Sequence, residues 1–545
     1  MGKYSQKPQK RKGGSGSKVL PIVLAVLLVA VAGIAVFVMM NYHIVSWKLY
    51  PKDAASLDLR GKQIDTDHYD KIREKMPDCD IRWNIPFQGG VVADDAEGIT
   101  ISSLSQQDVE TLGYAWNLKA VEAQDCTDYE ALELLRKSRP EVAVNYSVAL
   151  SGGSFQWNAE SLELETVCQE DVALLRYLPN LKTVILTGSG SDSSSVEALK
   201  ASIHSAGQEF GIRIAGTVYQ DTEENVQISE ITDTELELLQ YIGGMKTLVL
   251  QNPQATPENI FSLNEKLPGV SVSWEVTVAD KTFDSQTTAV DLKMVEVKDL
   301  ADVEQKMAYL PNLETVTFGI CGIDEPKWEN SKSELAASPI ENEDMAAYRD
   351  RVRGDYKVAW TVRLGPSIAL QTDSDNFMPN HFRVGILPDS YAYNLRYCED
   401  MVSLDVGHMT LTDISFVEFM PKLKYLILAW TEVQYIEPIR SCKNLIFLEL
   451  DNSCIRDISP LVDCTALEDL NLGNTYASVQ PILGMDWLKN VYMIGRPDAG
   501  IVGTAIRTAR VVGSMDPAAA TVGYGWRRLP NYYAMRDYLH APYMN

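Results

Sequence analysis

The sequence is poor in the residues that most catalytic and metal chemistry needs. Six histidines are spread over 545 residues: His43, His68, His204, His381, His408 and His540. None stands in the paired helical spacing of a zinc protease. The eight cysteines form no C-x-x-C, which argues against a thiol redox motif and a zinc ribbon alike. No G-x-S-x-G elbow and no phosphate-binding loop occurs; the run Gly188-Ser189-Gly190-Ser191 is followed by no lysine. Asp373, Asp375 and Asn376 begin like a calcium loop, but Met378 and Val384 stand where that loop needs glycine and glutamate. No catalytic residue, metal ligand or cofactor is therefore assigned, and the chain does not read as an enzyme. A carboxylate pair acting on a glycan is the one enzymatic chemistry left open, because acids are plentiful and nothing singles out two of them.

Basic residues are also scarce outside one place. Lys and Arg number 49 against 74 Asp and Glu, a net charge of −25. The first 18 residues nevertheless hold Lys3, Lys7, Lys10, Arg11, Lys12 and Lys18 and no acid. The remainder is so acidic that it repels phosphate backbones and anionic lipid, so a nucleic-acid partner is not expected.

Residues 19–40 contain no charged side chain. At 1.5 Å per residue they reach about 33 Å, enough to cross the hydrocarbon layer. The apolar run exceeds that of a cleaved signal peptide and ends in Phe37-Val38-Met39-Met40 rather than in a small-x-small site. Asn41, Tyr42, His43 and Trp47 then suit the far interface. The expected topology is single-pass: a cytoplasmic basic tail (1–18), a transmembrane helix (19–41) and an extracellular body at the cell membrane.

Internal repeats are the strongest signal in the chain. Met401/Leu404/Val406, Leu423/Leu426/Leu428, Leu445/Leu448/Leu450 and Leu467/Leu470/Leu472 recur every 22 residues, and Leu488/Val491/Met493 follows after 21. A second motif keeps the same beat through Leu411/Ile414/Phe416, Val433/Ile436/Pro438, Ile455/Ile458/Pro460 and Val479/Pro481/Ile482. The two outer apolar residues of L-x-L share one face of a short strand. No unit can bury that face alone, so neighbouring units must stack. Thr431, Ser453 and Thr475 are placed to satisfy backbone groups inside the bend, and the prolines suit its non-strand side.

These residues resemble the leucine-rich repeats of bacterial surface proteins, closest to the internalin-type 22-residue repeat. The family's inner asparagine ladder is replaced here by Met409, Thr431, Ser453 and Thr475. The resemblance implies an α/β leucine-rich-repeat solenoid, a horseshoe with a parallel sheet, and protein recognition as its use.

Residues 48–395 carry a looser repeat of about 64 residues. Leu118, Leu181, Met245 and Leu313 mark equivalent places, each after a helical pattern. Alternating strands follow around Val144, Ile212, Trp274 and Trp360, with an earlier copy near Trp83. Each unit reads as two leucine-rich turns, one extended by a β-hairpin. The regular repeats occupy 396–495, and 496–545 reads as a C-terminal cap. There Tyr524, Trp526, Tyr532, Tyr533, Tyr538 and Tyr543 either cover the end of the core or form a glycan-binding patch. Cys442 and Cys464 share the phase of Cys398; small buried thiols and a disulfide between adjacent turns both stay open.

The x positions of L-x-L point to the concave side, where they are exposed unless the C-terminal tail or an inserted loop covers them. Tyr425, Ile427, Trp430 and Phe447 would give an apolar patch there, and Glu449, Asp451, Asp469 and Asn471 its polar surround. These eight are the expected ligand-binding residues, for an extracellular protein or glycan. The function expected is binding or scaffolding at the cell surface. A sensory ectodomain of a membrane complex and, further off, a glycan hydrolase are the alternatives.

Overall fold

The computed structural model describes residues 19–322, 327–329, 334–366, 368–379, 387–506, 508–513 and 524–540. The basic run 1–18, His381 and Tyr543 lie outside the described residues. Helices alternate with parallel strands in two compact units, Met1–Glu223 with Glu237–Gly244, and Glu224–Leu236 with Met245–Asn545. The change of repeat at 396 falls inside the second unit.

The first unit opens with helix Val19–Asn41, long and apolar enough to cross a membrane, with a mean hydropathy of 3.0 over its best window. None of that window is buried in protein. Strands Tyr42–Val45 and Lys48–Pro51 follow as a hairpin. Its tip residues Ser46 and Trp47 are both left-handed, at φ 51° and 62°, and Trp47 is fully exposed. Such a primed turn matches the twist of the flanking strands.

Strands Gly98–Ile101, Ala120–Ala123 and Ala143–Leu150 then run parallel, and Gly153–Gln156 returns antiparallel. Strands Ser161–Leu164, Thr183–Leu186, Glu209–Ile214 and Thr217–Gln220 repeat the scheme. In the second unit, Asn225–Ser229, Thr247–Gln251, Ser271–Val278 and Lys281–Asp284 do so again. Alternation sets the faces: Val144, Tyr146, Val148 and Leu150 are buried while the residues between them are not. Each of these three looser repeats thus contains three parallel strands and a return strand. The first strand of each set, such as Ser161–Leu164, is not among the strands expected from sequence.

Successive turns are also tied outside the core. Lys119–Glu97, Lys182–Glu160 and Lys246–Glu224 pair at 2.7, 2.6 and 2.5 Å, always 22 residues apart. These pairs are exposed and contribute little each, but they mark one phase of the repeat.

In the second unit a seven-stranded parallel sheet runs in strict chain order from Asn376–Phe377 to Arg510–Val512. Strands Ser403–Asp405, Tyr425–Ile427, Phe447–Glu449, Asp469–Asn471 and Asn490–Tyr492 pair in register, so Leu404, Leu426, Leu448, Leu470 and Val491 form one buried row. Each fully buried leucine contributes about 2 kcal/mol of transfer free energy, available only when a neighbouring turn covers it. The hydroxyls of Thr431, Ser453 and Thr475 donate to the carbonyls of Leu428, Leu450 and Leu472 at 2.7, 2.7 and 2.8 Å. Met409 fills the equivalent place as a buried apolar plug. Pro438, Pro460 and Pro481 stand in the first turn of short 3-10 helices on the other side of the coil, where no amide donor is needed.

All eight cysteines are free thiols. Cys442 and Cys464 each donate to a carbonyl of the preceding turn, Val417 at 3.7 Å and Ile439 at 3.4 Å. Burial pushes the thiols of Cys398 and Cys442 up to about 12 and that of Cys464 up to about 11. Of the two options open in sequence, the buried thiol is the one seen.

Candidate functional site

The face of the regular sheet opposite the leucine row carries two columns. One is Ser403, Tyr425, Phe447, Asp469 and Asn490; the other is Asp405, Ile427, Glu449, Asn471 and Tyr492. Sequence logic leaves this face open to solvent. The structure covers it. Tyr425, Ile427, Phe447, Glu449, Asp469 and Asn471 are all buried, so the expected exposure of these six is corrected. Asp451 is half-buried, and only Trp430 remains substantially exposed, at 55%.

The cover is the chain's own C-terminal helix, Pro530–Tyr538. Pro530 sits at its start, where a missing amide hydrogen is harmless. Leu529, Tyr532, Met535 and Leu539 recur at helical spacing and are buried against the sheet with Trp526. Tyr532 and Trp526 meet edge to face at 5.0 Å, and both approach Phe447, at 6.3 and 6.0 Å between ring centroids. Tyr538 lies 6.3 Å from Tyr425. Trp526, Tyr532 and Tyr538 thus lie on the open face of the sheet.

Charges are matched across the same contact. Arg536 Nη1 lies 3.8 Å from Asp405 Oδ2, with both side chains buried. Asn531 Nδ2 donates to Asp469 Oδ2 at 2.9 Å and to Glu468 Oε2 at 3.1 Å. Burial, with Asp405 and Asp451 nearby, pushes the Glu449 carboxyl well above its usual range; Arg527 and Arg536 oppose that shift. Burial also raises Asp451 and Asp469, against the hydrogen bonds from Asn474 and from Asn490 and Asn531. The Ser403 hydroxyl is buried on this face without a hydrogen-bond partner among the described residues.

At the strand ends His408, Trp430, Asn452 and Asn474 form a ladder of left-handed residues, with φ from 51° to 61°. Asparagine adopts this conformation readily, but tryptophan pays about 1–2 kcal/mol for it. The Trp430 ring stacks on His408 at 5.8 Å and 13°, and its backbone amide donates to the Asp451 carbonyl at 2.9 Å. A Cβ at Gly473 would crowd the Asp451 carboxylate, which would have to turn away.

Sequence reasoning missed Arg527, Asn531 and Arg536. Their signal was present: a proline-started helix with apolar residues three and four apart, and an arginine one turn after Tyr532. Among the described residues no group of three or more His, Cys, Asp or Glu is placed to hold a metal ion. An open cleft of about 600 Å³, away from this face, is lined by Glu122, Asp125, Tyr146 and Gln156.

No family model matches the chain, and no curated protein matches it. Solved structures do. Internalin C2 of Listeria monocytogenes is 13% identical over 56% of this chain and 88% of its own, with a TM-score of 0.18. The internalin inlF of the same organism is 14% identical over 84% and 93%, at 0.19. A leucine-rich-repeat protein of Leptospira interrogans is 12% identical over 64% and 93%, at 0.22. Scores this low add nothing to the geometry, which stands on the chain's own strand register.

Proposed function

We propose that this chain is a membrane-tethered leucine-rich-repeat protein that carries its repeats outside the cell and binds a protein partner on the sheet face of residues 403–492, which its own C-terminal helix covers in this structure. The regular repeats form a solenoid within the second unit, and helix Val19–Asn41 is the single membrane span. The observation that carries this reading is the composition of the face. It combines Tyr425, Ile427, Phe447 and Tyr492 with Asp405, Glu449, Asp451 and Asp469, where a sheet exposed only for solubility would carry scattered polar residues. Half-exposed Trp430, stacked on His408, continues this surface beyond the covered part. The acidic surround selects a partner with a basic patch.

The test is position-specific photo-cross-linking with the full chain on intact cells. A cross-linker replacing Trp430 captures one extracellular protein, and one replacing exposed Arg456, on the far side of the coil, does not. Equal capture at both positions, or none at 430, contradicts the proposal.

A further inference from the structure

We infer that the C-terminal helix is a displaceable occupant of the recognition face, and that the face is built to receive an amphipathic helix carrying an aromatic residue and, one turn on, an arginine. This rests on the binding role proposed above and names the chemistry of the partner. The chain's own residues 524–540 are then a ligand held in cis, and the partner competes with them.

The contact has the make-up of an interface. Its anchors are Trp526, Tyr532 and Arg536, the residue types that dominate binding hot spots. A permanent seal would gain as much from apolar residues, since a buried ion pair replaced by well-packed apolar groups is often no less stable. Here Asp405, Glu449 and Asp469 are retained under the helix, with Asp451 at its margin. The contact also leaves the buried Ser403 hydroxyl on this face without a hydrogen-bond partner among the described residues.

The helix has little stability of its own. It is nine residues long, and no side chain caps its N-terminus. Helices this short are marginal in water without tertiary contacts, so it holds its shape only while docked. The face extends past it to the exposed Trp430–His408 stack, which gives an incoming segment a first contact before the helix leaves. While the helix is docked, apparent affinity for a partner falls by the fraction of chains that are open.

Hydrogen exchange on the full chain tests this. Amides of 531–538 should exchange on the order of 100-fold faster than those of strands Tyr425–Ile427 and Phe447–Glu449, through local opening that leaves the sheet protected. Exchange of helix and strands together, only on global unfolding, would make the helix a fixed part of the core and overturn the inference. A second arm adds a labelled synthetic peptide of residues 524–540. Arg536→Ala should raise capture of this peptide on the order of 100-fold over the unaltered chain and, separately, the milder Tyr538→Ala about tenfold. A variant whose sheet stays protected but which takes up no peptide also overturns the inference. Neither arm uses an outside partner. Opening and peptide uptake without capture of an extracellular protein would sink the proposed function and leave the displaceable helix standing.

Discussion

Arg536 of the C-terminal helix and Asp405 of the sheet, 131 positions apart in sequence, bring their charges within 3.8 Å in a place almost closed to water. Glu449 is held in the same field. Removing one member of a buried pair costs more than removing both, because the remaining charge stays desolvated. Arg536→Ala should therefore weaken helix docking by about 3 kcal/mol. Adding Asp405→Asn and Glu449→Gln to that variant should recover most of the loss. Exchange protection of residues 531–538 reads both effects, and a triple variant no better than the single one contradicts the pairing.

The pH dependence has a definite sign. Glu449, Asp451 and Asp469 are all raised above their ordinary values of 4.5, 3.8 and 3.8. A carboxyl raised in the folded state binds protons more tightly there than in the open state. Its contribution is full below the ordinary value and is lost as pH climbs through the raised one. Docking of the helix should accordingly strengthen as pH falls from 7 toward 5. Glu468 acts in the opposite sense, because its hydrogen bond from Lys489 lowers it, so its contribution fades only under stronger acid. Helix protection measured from pH 5 to 8 checks this, and Glu449→Gln should flatten the curve.

Two aromatic residues of the expected binding surface should now behave differently. Phe447 is 2% exposed, and Phe447→Ala should cost about 3–5 kcal/mol of stability. Trp430 is exposed and left-handed, so Trp430→Asn should leave stability within about 1 kcal/mol of the original, on the favourable side if relief of the backbone outweighs the lost ring contacts. Urea denaturation of both variants decides it; equal losses contradict the assignment of Trp430 to the surface.

Cysteine labelling tests the topology. Cys454 is exposed, whereas Cys398, Cys442 and Cys464 are buried, with thiols held up in the neutral form. A membrane-impermeant maleimide should label Cys454 on intact cells, and the ladder thiols only after denaturation. Labelling of Cys454 that requires permeabilised cells contradicts an extracellular location.

The regular repeats were legible because Leu426, Leu448 and Leu470 sit in a strict period that no other arrangement hides equally well. The hairpins after Ala143–Leu150 and Ser271–Val278 were legible from long alternation and a turn. Strands such as Ser161–Leu164 were not, since four residues of alternation are too short to separate a strand from a loop. The site was half legible. Period 2 correctly put Tyr425, Phe447, Glu449 and Asp469 opposite the leucine row. It left an open face and a cover by the C-terminal tail or an inserted loop as alternatives and could not choose, because the cover is a helix some 60 to 110 positions later, docked by tertiary contacts.

The central claim is that residues 524–540 occupy the acidic and aromatic face of the sheet. Carboxyl footprinting of the full chain, read by mass spectrometry, tests it most directly. The account predicts that Asp405, Glu449 and Asp469 resist modification while exposed Glu437 reacts, and that all three become reactive when residues 524–545 are removed and the sheet persists. Modification of Glu449 in the intact chain as fast as that of Glu437 would contradict it.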